Sequence, residues 1–137
     1  MIVADTSAIV ALLDRDEFHH TIVRELFERD EVWLLPWAIL PEVDYMVATR
    51  LGSRVQGLWT DDLINGTYHL HWGEDEELAH ARQIQKKYKA LKLGMVDAVV
   101  MAIAEAVNAS AIATLDLRHF GAVELKGAPK LYPRDLA

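Results

Sequence analysis

Ile2-Val3-Ala4-Asp5-Thr6-Ser7-Ala8-Ile9-Val10-Ala11-Leu12-Leu13 opens the chain. Three apolar residues are stopped by three polar ones, and then an apolar run resumes. Ile2–Ala4 reads as a short strand, Asp5-Thr6-Ser7 as a turn, and Ala8–Leu13 as a helix. Strand, polar turn and helix make the first half of an α/β unit. The Asp5 carboxylate then stands at the carboxyl end of a strand, where open parallel sheets bind their ligands. Asp, Thr and Ser also favour helix N-termini, so a cap is the competing role for all three.

The alternation continues downstream. His20–Arg29 reads as a helix with apolar Ile22, Val23, Leu26 and Phe27, and Val32–Leu35 as a strand. Trp37–Leu51 has a helical pattern, with Pro41 in an early turn where proline is tolerated. Ser53 can cap a further helix that ends near Asn65-Gly66, and Tyr68–Trp72 is a strand candidate. Asp75–Ala90 is amphipathic, with Leu78, Ala81, Ile84 and Tyr88 at helical spacing. Met95–Val107 is almost wholly apolar and reads as a buried helix. Ala111–Ala113 is a strand, Thr114–His119 a polar turn, and Ala122–Leu125 a candidate edge strand. Strands alternating with helices predict an α/β fold, a parallel sheet with helices on both faces.

Composition sets the bounds. A chain of 137 residues fits a single domain, residues 1–137, and a hydrophobic share of 52% opposes disorder. No cysteine is present, so disulfides and thiolate metal sites are excluded. No apolar run reaches the ~18–20 residues of a membrane span. The first residues lack the basic segment of a secretory signal, so a cytoplasmic protein is expected. Fourteen Lys and Arg against 21 Asp and Glu give a net charge of −7. That sign is unusual for a nucleic-acid binder. It makes sense if some of the acids are gathered to hold divalent cations.

Four acids fit that purpose. Asp5 is the first. Asp97 is the only charge between Lys92 and Glu105, at the start of the most apolar helix. A carboxylate there costs several kcal/mol unless it is paired, hydrogen-bonded or metal-bound, or sits in the first turn with the helix dipole behind it. Asp116, in Thr114-Leu115-Asp116, repeats the Asp5 arrangement of strand, hydroxyl and carboxylate. An Asx-turn is its alternative. On the helix around Pro41, Glu42 and Asp44 lie on opposite flanks of the apolar face, and periodicity does not choose between them. Magnesium and manganese take hard oxygen ligands, and a pair of such ions can drive phosphodiester cleavage.

The stretches Val3–Ala8, Pro41–Tyr45, Leu93–Ala98 and Ala113–Phe120 resemble the four signature regions of the PIN-domain nucleases, in order and over essentially the whole chain. The likeness is strongest to the VapC-type toxins of toxin–antitoxin systems. It implies a three-layer α/β/α sandwich with a mostly parallel sheet. It also implies a metal-dependent endoribonuclease, usually a homodimer, neutralised by a small VapB-like antitoxin. By position the acidic quartet is Asp5, Glu42, Asp97 and Asp116, holding one or two Mg²⁺ or Mn²⁺ ions. Thr6 and Thr114 match supporting hydroxyl positions. The implied chemistry is in-line attack of an activated water on phosphorus, leaving a 5′-phosphate and a 3′-hydroxyl.

Other residues attract weaker readings. Arg118 and His119 adjoin Asp116 and are candidate RNA contacts. Lys86, Lys87, Lys89 and Lys92 form the densest basic group and could steer RNA, or could simply be a solvated helix end. His69, His71 and His80 lack zinc-site spacing. Trp33, Trp37 and Trp59 suit a core or an interface. Three rival functions share these features: a phosphatase with an aspartyl nucleophile, which usually needs a second acid where Ser7 stands; a non-catalytic binding module; and a DNA-directed nuclease.

Overall fold

The computed structural model describes residues 1–29 and 31–136. Its strands are β1 (Ile2–Ala4), β2 (Trp33–Pro36), β3 (His69–His71), β4 (Ala111–Ala113) and β5 (Lys130–Tyr132). They form one sheet in the order β3-β2-β1-β4-β5, with every pairing parallel. The helices are α1 (Thr6–Leu13), α2 (His20–Phe27), α3 (Leu40–Leu51), α4 (Ser53–Ile64), α5 (Asp75–Lys87), α6 (Met95–Ala106) and α7 (Leu117–Phe120). Short 3₁₀ turns at Trp37–Ile39 and Lys89–Leu91 precede α3 and follow α5.

The order of strands determines where helices go. The chain steps from β1 to β2 to β3 in one direction, then crosses back to β4 and on to β5. Right-handed crossovers put α1–α4 on one face and α5–α7 on the other, giving the expected α/β/α sandwich. The direction reverses between β1 and β4. That switch point opens a crevice beyond the strand ends, the place where such sheets carry sites. Asp5 follows β1 and Asp116 lies just past β4, so both stand at it.

The core explains the apolar runs. Ile2, Val3 and Ala4 are all buried, as are Leu34, Leu35 and Ile112. Ala98–Ala104 of α6 is buried without a break, so this helix is covered all round and its length of apolar sequence is accounted for. Trp33 and Trp59 are buried too, in an aromatic cluster with Phe27 and Tyr68 that ties α2 and α4 to the sheet. The core reading holds for both tryptophans.

Two expectations are corrected. Ala122–Leu125 is not a strand; the edge strand is Lys130–Tyr132. The reason is direction. A strand parallel to β4 must begin at the far end of the sheet, so residues 121–129 are spent on the return. The turn at Thr114–His119 is also partly helical, because α7 starts at Leu117. Elsewhere the differences lie at element ends, as at Pro41, which sits in the first turn of α3 as expected.

Candidate active site

Asp5 occupies the N-cap position of α1, but its carboxylate makes no capping hydrogen bond. The backbone does that work: the Asp5 carbonyl accepts from the amides of Ala8 and Ile9. The side chain is left for another purpose, although it is only 4% exposed. Thr114 Oγ1 donates to Asp5 Oδ2 at 2.9 Å, and Ser7 Oγ donates to the same oxygen at 3.1 Å. Each hydroxyl has a single proton. Both protons are therefore committed to Asp5. Their lone pairs accept from the β4–α7 turn: Asp116 N–H donates to Thr114 Oγ1 at 3.0 Å, and Leu115 N–H to Ser7 Oγ at 2.9 Å. Two hydroxyls thus clamp the end of β1 to the turn after β4.

Burial pushes the Asp5 carboxyl above its usual range. Hydrogen bonds from Thr114, the Thr6 amide and Ser7 pull it back, and the charge of Asp116 raises it further. Asp97 sits in the first turn of α6 and its side chain is 22% exposed. Its pKa is raised to about 6, first by burial, then by the charges of Asp5 and Asp116, with a smaller push from Glu42; only His119 opposes. A carboxylate held there as a helix cap would be stabilised in its charged form. Asp97 is instead destabilised by its acidic neighbours.

Asp116 takes the local turn role with one oxygen and meets His119 with the other. It is the N-cap of α7, with Oδ1 accepting from the His119 amide at 3.2 Å. Its other oxygen, Oδ2, meets His119 Nδ1 at 2.9 Å. His119 Nδ1 also lies 3.4 Å from Asp97 Oδ2. Ligand atoms of Asp97, Asp116 and His119 all fall within 4.8 Å of one another.

The two acids flanking the apolar face of α3 have different neighbours. Gln56 of α4 donates to both oxygens of Asp44, at 3.1 and 3.0 Å, so Asp44 serves the α3–α4 contact. Glu42 is exposed, and its charge reaches Asp97. Thr6, expected to support the site, has a buried Oγ1 with no hydrogen-bond partner among the described residues. Ser7, read from sequence only as a possible cap, takes the supporting place beside Thr114. Apart from Asp5, its partners Thr114 and Leu115 lie more than a hundred residues away, so no local signal announces them. Arg118 is exposed on α7 and makes no ion pair among the described residues. Lys86, Lys87, Lys89 and Lys92 are all exposed. His69, His71 and His80 do not share a site: His71 bonds Glu77 at 2.7 Å, His80 bonds Glu105, and His69 is exposed.

The residues fit a divalent cation. The donors are carboxylate oxygens with one imidazole, close enough to share an ion. Their mutual repulsion raises the Asp97 pKa, and a positive ion relieves such repulsion. A cavity of about 360 Å³ lies elsewhere, lined by Phe120, Val123, Leu125, Leu131 and Arg134, and none of the four acids lines it.

Ser7→Ala leaves Asp5 with one hydroxyl donor and the Leu115 amide unpaired. It should lower activity about tenfold and stability by about 1 kcal/mol. Cleavage rates and thermal melts measure both, and wild-type values would remove Ser7 from the site.

A parallel α/β sandwich with carboxylates collected at its switch point defines the class. Residues 2–125 match the PIN domain family model, and the chain belongs to the PIN-domain family. It is 32% identical over 123 residues to "Ribonuclease VapC26" of Mycobacterium tuberculosis, covering 88% of this chain and 90% of that one. Three solved structures share the fold. One is Mycobacterium tuberculosis VapC20, described as a sarcin-ricin loop cleaving toxin. It has a TM-score of 0.78 and 18% identity, over 91% of this chain and 98% of that one. VapBC2 from Rickettsia felis, bound to a promoter DNA fragment, gives 0.71 and 16%, over 96% and 97%. FitAcB from Neisseria gonorrhoeae gives 0.63 and 18%, over 96% of each chain.

Proposed function

We propose that this chain is a Mg²⁺- or Mn²⁺-dependent endoribonuclease, the toxin of a toxin–antitoxin pair. The observation that carries the reading is Asp97: a carboxylate at the mouth of a buried helix, facing Asp5 and Asp116 and raised to a pKa of about 6. Kinship with a named VapC ribonuclease supports RNA as substrate. A small VapB-like antitoxin as partner is what the resemblance to the VapC-type toxins implies, and the fold shared with VapBC2 of Rickettsia felis and FitAcB of Neisseria gonorrhoeae is compatible with it.

Asp5, Asp97 and Asp116 would hold one or two ions, with Glu42 at the exposed margin. What the cation supplies is Lewis acidity: a lower pKa for water and compensation of charge on phosphate oxygens. The protein's part is arrangement. Thr114 and Ser7 fix Asp5, and the α7 cap fixes Asp116. Exposed Arg118 stands where it can pair with a backbone phosphate, and the lysines from Lys86 to Lys92 offset the negative field for an approaching polyanion. The products expected are a 5′-phosphate and a 3′-hydroxyl. A homodimer in the cytoplasm completes the reading.

Purified, antitoxin-free protein should cut cellular RNA with Mg²⁺ or Mn²⁺ and stop in EDTA. Sequencing of the new ends should find 5′-phosphates. Cleavage that continues in EDTA, or ends carrying 3′-phosphate, overturns the reading.

A further inference from the structure

We infer that His119 is itself a donor to the divalent cation, and that it tilts the site towards manganese over magnesium. The inference rests on the metal-dependent reading above and adds a residue to it. Sequence alone suggested only a substrate contact for this histidine. The structure turns its ring inward instead. Nδ1 stands 2.9 Å from Asp116 Oδ2 and 3.4 Å from Asp97 Oδ2. In an octahedral shell with bonds of roughly 2.1 Å, neighbouring donors sit about 3 Å apart. The two measured separations bracket that value. Nδ1 is therefore spaced from each carboxylate oxygen as one donor of an ion is from the next, and ligand atoms of all three residues lie within 4.8 Å of one another.

Local structure holds the ring in place. The His119 backbone N–H bonds Asp116 Oδ1, which makes Asp116 the cap of α7 and brings the ring of the same turn beside the other carboxylate oxygen. Arg118, its neighbour, is exposed while His119 is half-buried. Backbone geometry thus commits His119, and not Arg118, to the acids.

The donor type carries the selectivity. Magnesium favours oxygen and gives up water reluctantly. An imidazole nitrogen suits first-row transition ions better. In the metal-free structure Nδ1–H donates to Asp116 Oδ2; an ion bound there releases that proton to solvent, and the ring, keeping a proton on Nε2, presents the Nδ1 lone pair. Replacing that nitrogen with an amide oxygen in His119→Asn leaves a hard donor near the same point. Removing it in His119→Ala leaves none.

The test uses the intact protein and Mn²⁺ or Mg²⁺ alone, without RNA. Calorimetry at fixed pH should show wild type preferring Mn²⁺, and His119→Asn should reduce the Mn²⁺-to-Mg²⁺ affinity ratio about tenfold. Electron spin-echo spectroscopy of bound Mn²⁺ should show modulation from a directly bound ¹⁴N in wild type, lost in His119→Ala. Near-ultraviolet circular dichroism confirms that the variants are folded. If the ring is instead a counterion expelled by the metal, wild type gives no ¹⁴N signal and His119→Ala binds Mn²⁺ more tightly; either result overturns the inference. Asp97→Asn separates the two levels. Undiminished Mn²⁺ binding in that variant defeats the metal reading itself. Lost binding there, with the ion preference unchanged in His119→Asn, defeats only the role of His119.

Discussion

Asp97→Asn should lower RNA cleavage by about 10³-fold or more, and yet leave the metal-free protein at least as stable as wild type. The two halves have one cause. Asp97 is ionised at neutral pH against burial and against Asp5 and Asp116, which raises its pKa from 3.8 to about 6. A carboxyl whose pKa is raised by folding binds its proton more tightly in the native state. Between about pH 4 and pH 6 the native state therefore holds more protons than the unfolded chain, and this group's contribution to stability falls as pH rises. Above that window the penalty is complete. At about 1.4 kcal/mol per tenfold in proton affinity it would be about 3 kcal/mol. Solvent reaching the partly exposed carboxylate cuts it to about 1–2 kcal/mol. Asparagine removes the charge and keeps the shape. In EDTA at pH 7.5 the variant should melt roughly 3–6 °C above wild type; the difference should shrink to about a third of that at pH 4.5 and close only below the unfolded-state pKa of 3.8. A variant that melts lower than wild type at pH 7.5 would make Asp97 a structural cap. On the proposed reading, the protein gives up stability at the point where it works.

That carboxylate was also the most legible residue in the sequence, because an isolated charge before an unbroken apolar run is a cost visible without coordinates. The alternation of strands and helices was equally legible, since each element is short and its buried face is written in local periodicity. What stayed hidden was whatever depends on a partner distant in the chain. Asp5 read equally as cap or ligand, because its separation from the cap depends on Thr114, which lies 109 residues away. Ser7 read as a cap for the same reason. Glu42 and Asp44 could not be told apart on one helix, because Gln56 of the next helix makes the difference. The last strand was misplaced at Ala122–Leu125 because apolar content does not encode the length of a return crossover. Lys130 and Arg134 around Leu131 conceal the true edge strand. His119 was noticed for its place beside Asp116, but the direction of its ring follows from the α7 cap, a detail of backbone geometry.

Thr114→Val should be the most damaging change outside the acids. Valine matches threonine in shape, so packing is kept and the effect isolates the hydroxyl. Thr114 is 1% exposed, and no water can replace what it does. Two bonds are lost together: the donation to Asp5 Oδ2 and the acceptance from the Asp116 amide. The first leaves a buried carboxylate with fewer donors, and the second leaves an amide at the start of the site's turn without its partner. Stability should fall by about 2–4 kcal/mol, and cleavage by about 10²-fold as Asp5 and Asp116 lose their common anchor. Thr114→Ser restores the hydroxyl without the methyl and should recover most of the activity, a rescue that packing alone would not produce. The changes also divide by kind. Asp97→Asn trades activity for stability, whereas Thr114→Val loses both, because one residue pays an electrostatic cost and the other contains it. If Thr114→Val instead cleaves and melts like wild type, the two hydroxyls do not organise the site, and the acids must be held by the sheet and α6 alone.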